Sequence, residues 1–433
     1  MLVCFHSLCG ATKLSGVSES EFSSGVNTDD VIRSLRSALT DKAQASSPVA
    51  RSVQTPISIT KTPAVAKAAK PSGSKRYMLA FFAATLAGMA SIWFANQAYA
   101  PEMYADGGMV AAAEAHAKNQ NYAVFDLNLN IRALREEQLK RMTKTPDVIL
   151  LGASHWQEGH KGLLKDYDFF NAHIHRDYWE DPLGMVELLV RNNRLPKKLI
   201  ISIRDNQFKP VELRKDFLWE PGIPAYRRMS AQLGLETQSI VKTLPYDRGR
   251  ALISLPMLFE NFTRWYNASE RPGPSENTHF ETLDALLPDG SIVWSNQRMQ
   301  LFTAERTKIE SDAFAKKRRN DPPVYEQKGV DAFNTLLNYL KKEGVSVYLV
   351  KPPFNPTYYD QLQGTPYAEG LAKVDALING IAADHKLPVF GSFNPHELGC
   401  TTAMYIDAEH SNEKCLQKIF DQFVAIDSAN GDL

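Results

Sequence analysis

Ser154, Asp407 and His410 are the residues of this chain whose types and spacing best fit nucleophilic catalysis. A serine hydroxyl is a weak nucleophile and needs a neighbouring base to take its proton. A histidine that a carboxylate holds in one tautomer is such a base, whatever the order of the three residues along the chain. The sequence therefore predicts acyl transfer or ester hydrolysis in which Ser154 attacks, His410 carries the proton and Asp407 orients His410.

The segment Asp407-Ala-Glu-His410 places a carboxylate and an imidazole three residues apart, so both side chains can leave one turn toward a common point. His155 is the weaker candidate for the base, because neighbouring side chains tend to point away from each other. Another interpretation stays open for each motif. A Gly-x-Ser segment is often only a turn, and Asp407 would be structural if it caps the last helix.

The elements that must position these residues follow from the apolar pattern. The run Val148–Leu151, bounded by Pro146 and Gly152, predicts a buried strand, and reactive groups of parallel sheets lie just past such strand ends. Further strands are predicted at 167–174, 198–203, 345–350 and 387–390, and helices at 131–142, 182–192, 330–342, 367–385 and 412–424. This alternation predicts an α/β fold with a parallel sheet and helices on both faces.

An insertion over about 207–325 interrupts the alternation and is rich in aromatic residues and proline. The segment Leu287–Trp294 is typical of a hairpin, with Asp289-Gly290 at its turn. Insertions of this length usually elaborate a site or a partner surface. Its aromatic residues would either stack on sugar rings or form the insertion's own small core. They are Trp265, Tyr266, Trp294 and Phe302.

The N-terminal part predicts a membrane anchor. Residues 1–75 are dominated by Ser, Thr, Ala and Lys, which is typical of a disordered tail. The stretch Tyr77–Ala95 carries no charged residue and predicts a transmembrane helix over 76–96. Only basic charges occur between Lys61 and Arg76, whereas acidic residues follow the span. The positive-inside rule then predicts a cytoplasmic tail and a single-pass protein of the inner (cytoplasmic) membrane, with a periplasmic or extracellular domain.

Two features refine this export prediction. Ala98-Tyr-Ala100 fits a signal-peptidase site, so a cleaved leader stays open beside the favoured uncleaved anchor. A linker is expected at 97–121 and the folded domain at 122–433. In an oxidising compartment, Cys400 and Cys415 would either form a disulfide that closes the loop around Asp407 and His410 or remain unrelated thiols.

The overall charge restricts the partners. The chain has 49 Lys and Arg residues and 49 Asp and Glu residues, so nothing indicates binding to nucleic acid. The histidines show no metal-ligand spacing. We therefore expect no metal and no cofactor.

The chain resembles the SGNH (GDSL-like) esterases and O-acyltransferases over roughly residues 125–425. Gly152-Ala-Ser154 matches the nucleophile block, although Ala153 stands where the family commonly has Asp, and Asp407–His410 matches the Asp-x-x-His block. Val347–Pro356 is similar to a strand and Pro-rich turn of membrane-anchored members, which include the D-alanine transfer protein of teichoic acids and the alginate O-acetyltransferases. The resemblance implies a three-layer SGNH-type sheet.

The resemblance also indicates where the oxyanion donors should lie, and here the chain departs from the family. The family's second block supplies a glycine amide, but Asn171–Tyr178 contains no glycine. Its third block supplies an asparagine, which Asn206 matches without the usual glycine. Backbone amides at Ser154 and around His175 and Arg176, or the Arg176 side chain, are the candidates for the remaining donor.

What the resemblance implies about function is acyl transfer at a cell-envelope polysaccharide, namely O-acetylation during exopolysaccharide biosynthesis. Membrane-anchored relatives work beside a multi-pass membrane acyltransferase, which is the expected partner. Two alternatives stay open. One is a carbohydrate esterase of the same fold, and the other is a non-catalytic scaffold or glycan-binding member of an export complex.

Overall fold

Short apolar strands and longer helices alternate along the folded part of the chain. The computed structural model describes residues 74–99, 106–125, 130–175, 177–210, 222–237 and 270–431, with a few positions between 258 and 266. The strands are β1 (Asn121–Val124), β2 (Val148–Leu151), β3 (Phe169–Asn171), β4 (Lys198–Ser202), β5 (Gly273–Ser275), β6 (Asp284–Leu286), β7 (Ile292–Val293), β8 (Ser346–Lys351) and β9 (Val389–Gly391).

The helices flank these strands throughout. They are α1 (Ser74–Tyr99), α2 (Asp106–Ala117), α3 (Ile131–Arg141), α4 (Glu180–Arg191), α5 (Ile223–Gln232), α6 (Asn296–Leu301), α7 (Ala304–Arg318), α8 (Gln327–Lys342), α9 (Pro356–Leu362), α10 (Pro366–His385) and α11 (Glu413–Gly431). The predicted strands and helices differ from the observed ones mainly in where they begin and end. The second predicted strand is shorter than 167–174, and the last helix runs beyond 424.

The central sheet is parallel, with five strands in the order β3-β2-β4-β8-β9. Side chains alternate between the faces of a strand. Ile149 and Leu151 of β2 therefore join a core with α3, α4, α8 and α10, whereas Val148 and Leu150 join a second core with α11. Because both faces are buried under helices, β2 is apolar at every position, as is typical of parallel sheets. The predicted α/β fold with a parallel sheet is confirmed.

A second, antiparallel sheet has the order β5-β1-β6-β7 and unites the start of the domain with the insertion. β1 pairs with β5 on one side and β6 on the other. The predicted linker over 97–121 is wrong for residues 106–121, because α2 buries Met109, Ala112 and Ala113 in the main core. Small residues gave this segment a linker-like composition, yet small size is what lets a helix pack closely on its neighbours.

The predicted hairpin at Leu287–Trp294 is present, since β6 and β7 pair antiparallel on either side of the turn. Gly290 lies in this turn with φ +86°, a conformation that costs other residues steric strain. A Cβ at Gly290 would also lie 2.1 Å from the carbonyl oxygen of Asn171. Only glycine therefore allows the insertion's turn to approach the end of β3 this closely.

Helix α1 contains the predicted span. Within the described ranges it is the one helix long and apolar enough to cross a membrane. Tyr77–Ala95 measures about 28 Å at 1.5 Å per residue, against about 30 Å for a bilayer's hydrocarbon core. Its large apolar side chains, such as Leu79 and Phe82, are exposed. The predicted tail lies outside the described residues except for its last two positions.

A disulfide joins Cys400 to Cys415, across a sequence separation of 15 residues that contains Asp407 and His410. Closing a loop of this length lowers the conformational entropy of the unfolded chain, which stabilises the folded state by about 3 kcal/mol. We expect the Cys400→Ser, Cys415→Ser variant to lose about that much free energy of unfolding. Urea unfolding followed by tryptophan fluorescence measures the loss. A Cys4→Ser, Cys9→Ser variant serves as control, and an unchanged midpoint in the first variant would contradict the expectation.

Candidate active site

The structure brings the three predicted residues into one hydrogen-bonded chain. Ser154 and His410 lie 256 residues apart in the sequence, yet Ser154 Oγ is 2.8 Å from His410 Nε2. His410 Nδ1 lies 2.8 Å from Asp407 Oδ2 and 3.0 Å from Oδ1. These distances are within reach for proton transfer between a nucleophile and its base.

Asp407 also holds its own turn. Its Oδ1 accepts hydrogen bonds from the backbone N–H groups of Glu409 and His410, both at 2.8 Å. It does not cap the last helix, because α11 begins at Glu413 and the side chain of Asn412 accepts the N–H of Lys414 at 3.1 Å. The carboxylate therefore fixes the backbone and the imidazole of His410 together.

Gly152 allows the nucleophile to leave its strand sharply. A Cβ at this position would lie 2.7 Å from Ser202 Cβ, at the end of β4, and 2.7 Å from Trp156 Cδ1. The chain then enters a short 3₁₀ turn over Ser154–Trp156. Glycine is thus required for close packing of β2 on β4, and this packing places Ser154 at the carboxyl edge of the sheet.

The charges of the base and its carboxylate are strongly coupled. Burial opposes the charged imidazole of His410, but the charge and hydrogen bond of Asp407 outweigh it and raise the pKa of His410 to about 9. Glu409 and Glu158 contribute in the same direction. Burial likewise opposes ionisation of Asp407, yet His410 and two backbone N–H groups hold the pKa of Asp407 well below its usual range. The pair therefore favours an imidazolium–carboxylate form.

His155 packs on the base from the other side. Its ring stacks on that of His410 with the centroids 5.5 Å apart and the planes at 28°. Its side chain is buried, and neither ring nitrogen has a hydrogen-bond partner among the described residues. Burial, together with the charge of His410, holds the pKa of His155 well below its usual range. His155 is therefore a neutral ring that covers one face of His410, a contact that no sequence pattern predicts.

The N-terminal end of the 3₁₀ turn offers donors for an oxyanion. In the part of the chain that the structure describes, no group accepts a hydrogen bond from the backbone N–H of Ser154 or of His155. The first N–H groups of a helical turn have no partner within the turn. These two amides are thus free to bind negative charge that develops beside Ser154 Oγ.

The other predicted oxyanion donors are Asn206, His175 and Arg176, and the structure describes two of them. Asn206 lies past the end of β4 with a buried side chain, and its Nδ2 donates to Asp205 Oδ2 at 2.5 Å. His175 lies past β3, in a segment that follows β2 beyond its end, because the N–H of Ile174 donates to the carbonyl of Gly152 at 2.8 Å. Arg176 lies outside the described residues. The structure places Asn206 and His175 at the same sheet edge as Ser154, without a hydrogen bond from Asn206 to the serine or the base.

The insertion forms one wall of the site. The N–H of Ile292 in β7 donates to the carbonyl of Gln157 at 2.7 Å, just past the nucleophile's turn. The N–H of Lys161 donates to Asp289 Oδ2 at 2.8 Å, and Trp294 Nε1 donates to Glu158 Oε1 at 2.6 Å. The antiparallel sheet is therefore bound directly to the loop that carries Ser154.

Two acids near the base, the buried Glu158 and the half-buried Glu409, were not among the predicted site residues. Burial raises the pKa of Glu158 to about 7, although Trp294 opposes this by donating its N–H. Burial also raises the pKa of Glu409 to about 7, and the charge of Asp205 adds to the shift. Glu409 occupies a variable position of the Asp-x-x-His block, and Glu158 belongs to no recognisable motif. Glu409 is next to His410 in the sequence, whereas Glu158 comes near the base only because two distant loops meet in the folded protein.

The sequence matches no family model and no curated protein. The structure is that of an α/β domain with a hydrogen-bonded Ser-His-Asp chain at the carboxyl edge of a parallel sheet.

Proposed function

We propose that this chain is a membrane-anchored serine O-acyltransferase of the SGNH type that acts on a cell-envelope polysaccharide, by O-acetylation during exopolysaccharide biosynthesis. The observation that carries the proposal is the continuous hydrogen-bonded chain from Ser154 Oγ through His410 to Asp407. Its place beyond the end of β2 adds support, because this is where parallel sheets present reactive groups.

In the first half-reaction, neutral His410 accepts the proton of Ser154 through Nε2 while Oγ attacks the acyl carbonyl. The backbone amides of Ser154 and His155 bind the oxyanion that forms. The tetrahedral intermediate collapses, the bond to the donor's leaving group breaks, and the leaving group takes the proton from His410. The acyl group is then esterified to Ser154.

In the second half-reaction, a sugar hydroxyl gives its proton to His410 and attacks the acyl-serine carbonyl. Collapse of this second intermediate releases the O-acylated sugar, and Ser154 Oγ recovers the proton from His410. Asp407 stays ionised throughout and stabilises the imidazolium. No other group from outside the chain is needed to balance either step.

The location of the reaction is part of the proposal. Helix α1 would cross the inner membrane, with the tail in the cytoplasm and the domain outside. A multi-pass membrane acyltransferase would supply the acyl group on the outer face, where the polysaccharide passes. The apolar length of α1 and the basic residues before it support this arrangement.

Ester hydrolysis is the second candidate function, because the side chain of His410 is 24% exposed and water can reach it. Water would then replace the sugar hydroxyl in the second half-reaction. A non-catalytic scaffold would not require the hydrogen-bonded chain at Ser154, so that class has less support.

Trapping the acyl-enzyme tests the proposal. The full chain is incubated with para-nitrophenyl acetate, quenched in acid and analysed by peptide mass spectrometry, with and without oligosaccharide acceptors. We expect acetyl on Ser154, and acetylated sugar when an acceptor is present. The control variant Ser346→Ala changes an exposed serine at the amino end of β8 and should be labelled normally.

The remaining outcomes separate the alternatives. Acetyl on Ser154 that passes only to water would select the esterase. Turnover without acetyl on Ser154 would contradict the serine mechanism. If no ester is turned over and none labels Ser154, a non-catalytic scaffold would be the remaining alternative.

A further inference from the structure

A cavity of about 370 Å³ lies between the loop that follows Ser154 and the insertion. Its walls come from Glu158 and His160 on that loop, from His279, Trp294 and Met299 on the insertion, and from Glu413 at the start of α11. The volume falls in the range of about 300–1,000 Å³ that is usual for small-ligand pockets.

The cavity lies near the base, through Glu158 and Glu413 of its lining. Glu158 comes four residues after Ser154, and the charge of Glu158 perturbs the pKa of His410. Glu413 follows His410 by three residues, and its carboxylate lies 3.6 Å from Nε2 of His160 on the loop that follows Ser154. Ser154 and His410 do not themselves line the cavity, so a sugar unit held there would lie near the histidine that must deprotonate an acceptor rather than against it.

The lining is acidic. It includes two carboxylates and two imidazoles, and no lysine or arginine is among the described residues that line it. The nearby Arg298 lies over the Trp294 ring at 4.8 Å, but its guanidinium is paired at 3.0 Å with the buried Asp284. Above the pKa of Glu158, which is about 7, an anionic ligand would thus meet two carboxylates, and none of the described lining residues is a lysine or arginine that could balance its charge.

Glu158 has the burial expected of a binding group. Its residue is 8% exposed, and one carboxylate oxygen accepts from Trp294 Nε1 at 2.6 Å. A carboxylate has about four lone-pair sites, so further acceptor capacity is left for hydroxyl groups. Trp294 is also fixed on its edge by Phe302, at 5.9 Å between ring centroids. The polar and aromatic parts of the wall are therefore preorganised by contacts within the protein.

We propose that this cavity is the acceptor subsite and that it selects a sugar unit without an acidic group, either a neutral pyranose or one that bears an amine. The inference rests on the proposed function and narrows its substrate class. Sugar hydroxyl groups would form hydrogen bonds with Glu158 and the histidines. The carboxylates of Glu158 and Glu413 would attract a protonated amine and repel the carboxylate of a uronate.

The test measures binding separately from chemistry. The full chain carrying Ser154→Ala is purified in a detergent without a sugar head group and titrated calorimetrically with three tetrasaccharides. They are cellotetraose (neutral), the β-1,4-linked glucosamine tetramer (cationic) and tetragalacturonate (anionic). We expect the first two to bind, and tetragalacturonate to bind at least about tenfold more weakly, which corresponds to one favourable or unfavourable charge contact.

Substitutions in the lining distinguish a charge-selective subsite from a surface that binds sugars non-specifically. Met299 is 46% exposed, so Met299→Arg should fold normally. It should strengthen tetragalacturonate binding and weaken glucosamine-tetramer binding, each by about tenfold. Trp294→Ala should weaken all sugar binding. Tyr266→Ala is the matched control, because Tyr266 is an insertion aromatic that is 71% exposed and does not line the cavity.

Failure of this inference is distinguishable from failure of the proposed function. If Ser154 is acetylated but acceptor selectivity is the same in Met299→Arg and wild type, the subsite assignment is overturned while the mechanism stands. Equal or tighter binding of tetragalacturonate by the Ser154→Ala chain would also overturn it. Selective binding that Met299→Arg reverses supports the subsite, even if no acetyl appears on Ser154.

Discussion

Ser154→Ala is expected to lower kcat for ester turnover by about a million-fold, the scale seen when a serine nucleophile is removed from such a unit. The substitution deletes Oγ, the atom that His410 contacts at 2.8 Å, without changing the backbone at the end of β2. His410→Ala should cost about as much. The double variant should lose no more than either single variant, because the two residues act on the same proton and the same bond.

Steady-state kinetics with para-nitrophenyl acetate checks this expectation, and circular dichroism verifies that each variant is folded. Ser346→Ala, at the opposite edge of the sheet, is the matched control and should retain wild-type kcat. Additive losses in the double variant would show that Ser154 and His410 act independently. Activity retained in Ser154→Ala would remove the serine from the mechanism.

Asp407→Asn should reduce kcat by about 10⁴-fold and move the pH profile toward lower pH. The amide oxygen can still accept the backbone N–H groups of Glu409 and His410, so the turn is retained. What is lost is the negative charge that stabilises the imidazolium. The amide can also donate its N–H to Nδ1, which favours the wrong tautomer of His410.

The direction of the pH effect follows from the coupled pair. His410 acts as a base only when neutral, and Asp407 raises the pKa of His410 to about 9. The wild-type kcat/KM should therefore increase with pH along a sigmoid curve whose midpoint lies near that value. Without the carboxylate the imidazolium loses its main partner, the pKa of His410 falls, and the midpoint falls with it.

Glu409→Gln provides a graded comparison, because Glu409 raises the pKa of His410 less than Asp407 does. We expect a smaller downward shift of the midpoint, with most of kcat retained. Kinetics measured between pH 5 and pH 10 (roughly the range over which such groups titrate) distinguish the variants. Identical midpoints in wild type and Asp407→Asn would show that the carboxylate does not control the protonation of His410.

The elements of the fold that were predicted well are those that depend on residues close together in the sequence. Val148–Leu151 is apolar at each position, as is typical of a strand buried on both faces. The helix over Tyr77–Ala95 is likewise visible from composition alone. The linker over 97–121 was wrong for its second half because composition alone does not show that Met109 and Ala112 pack into the main core.

By itself, the sequence determined which residues have the chemistry of a nucleophile, a base and an orienting carboxylate, because side-chain type and short spacing are local properties. Only the tertiary structure decided that Ser154 meets His410 at 2.8 Å and that His155 covers the base. It also decided that Trp294 of the insertion binds Glu158 beside the nucleophile. These contacts depend on where separate strands and loops end in space, and that is fixed by packing across the whole domain.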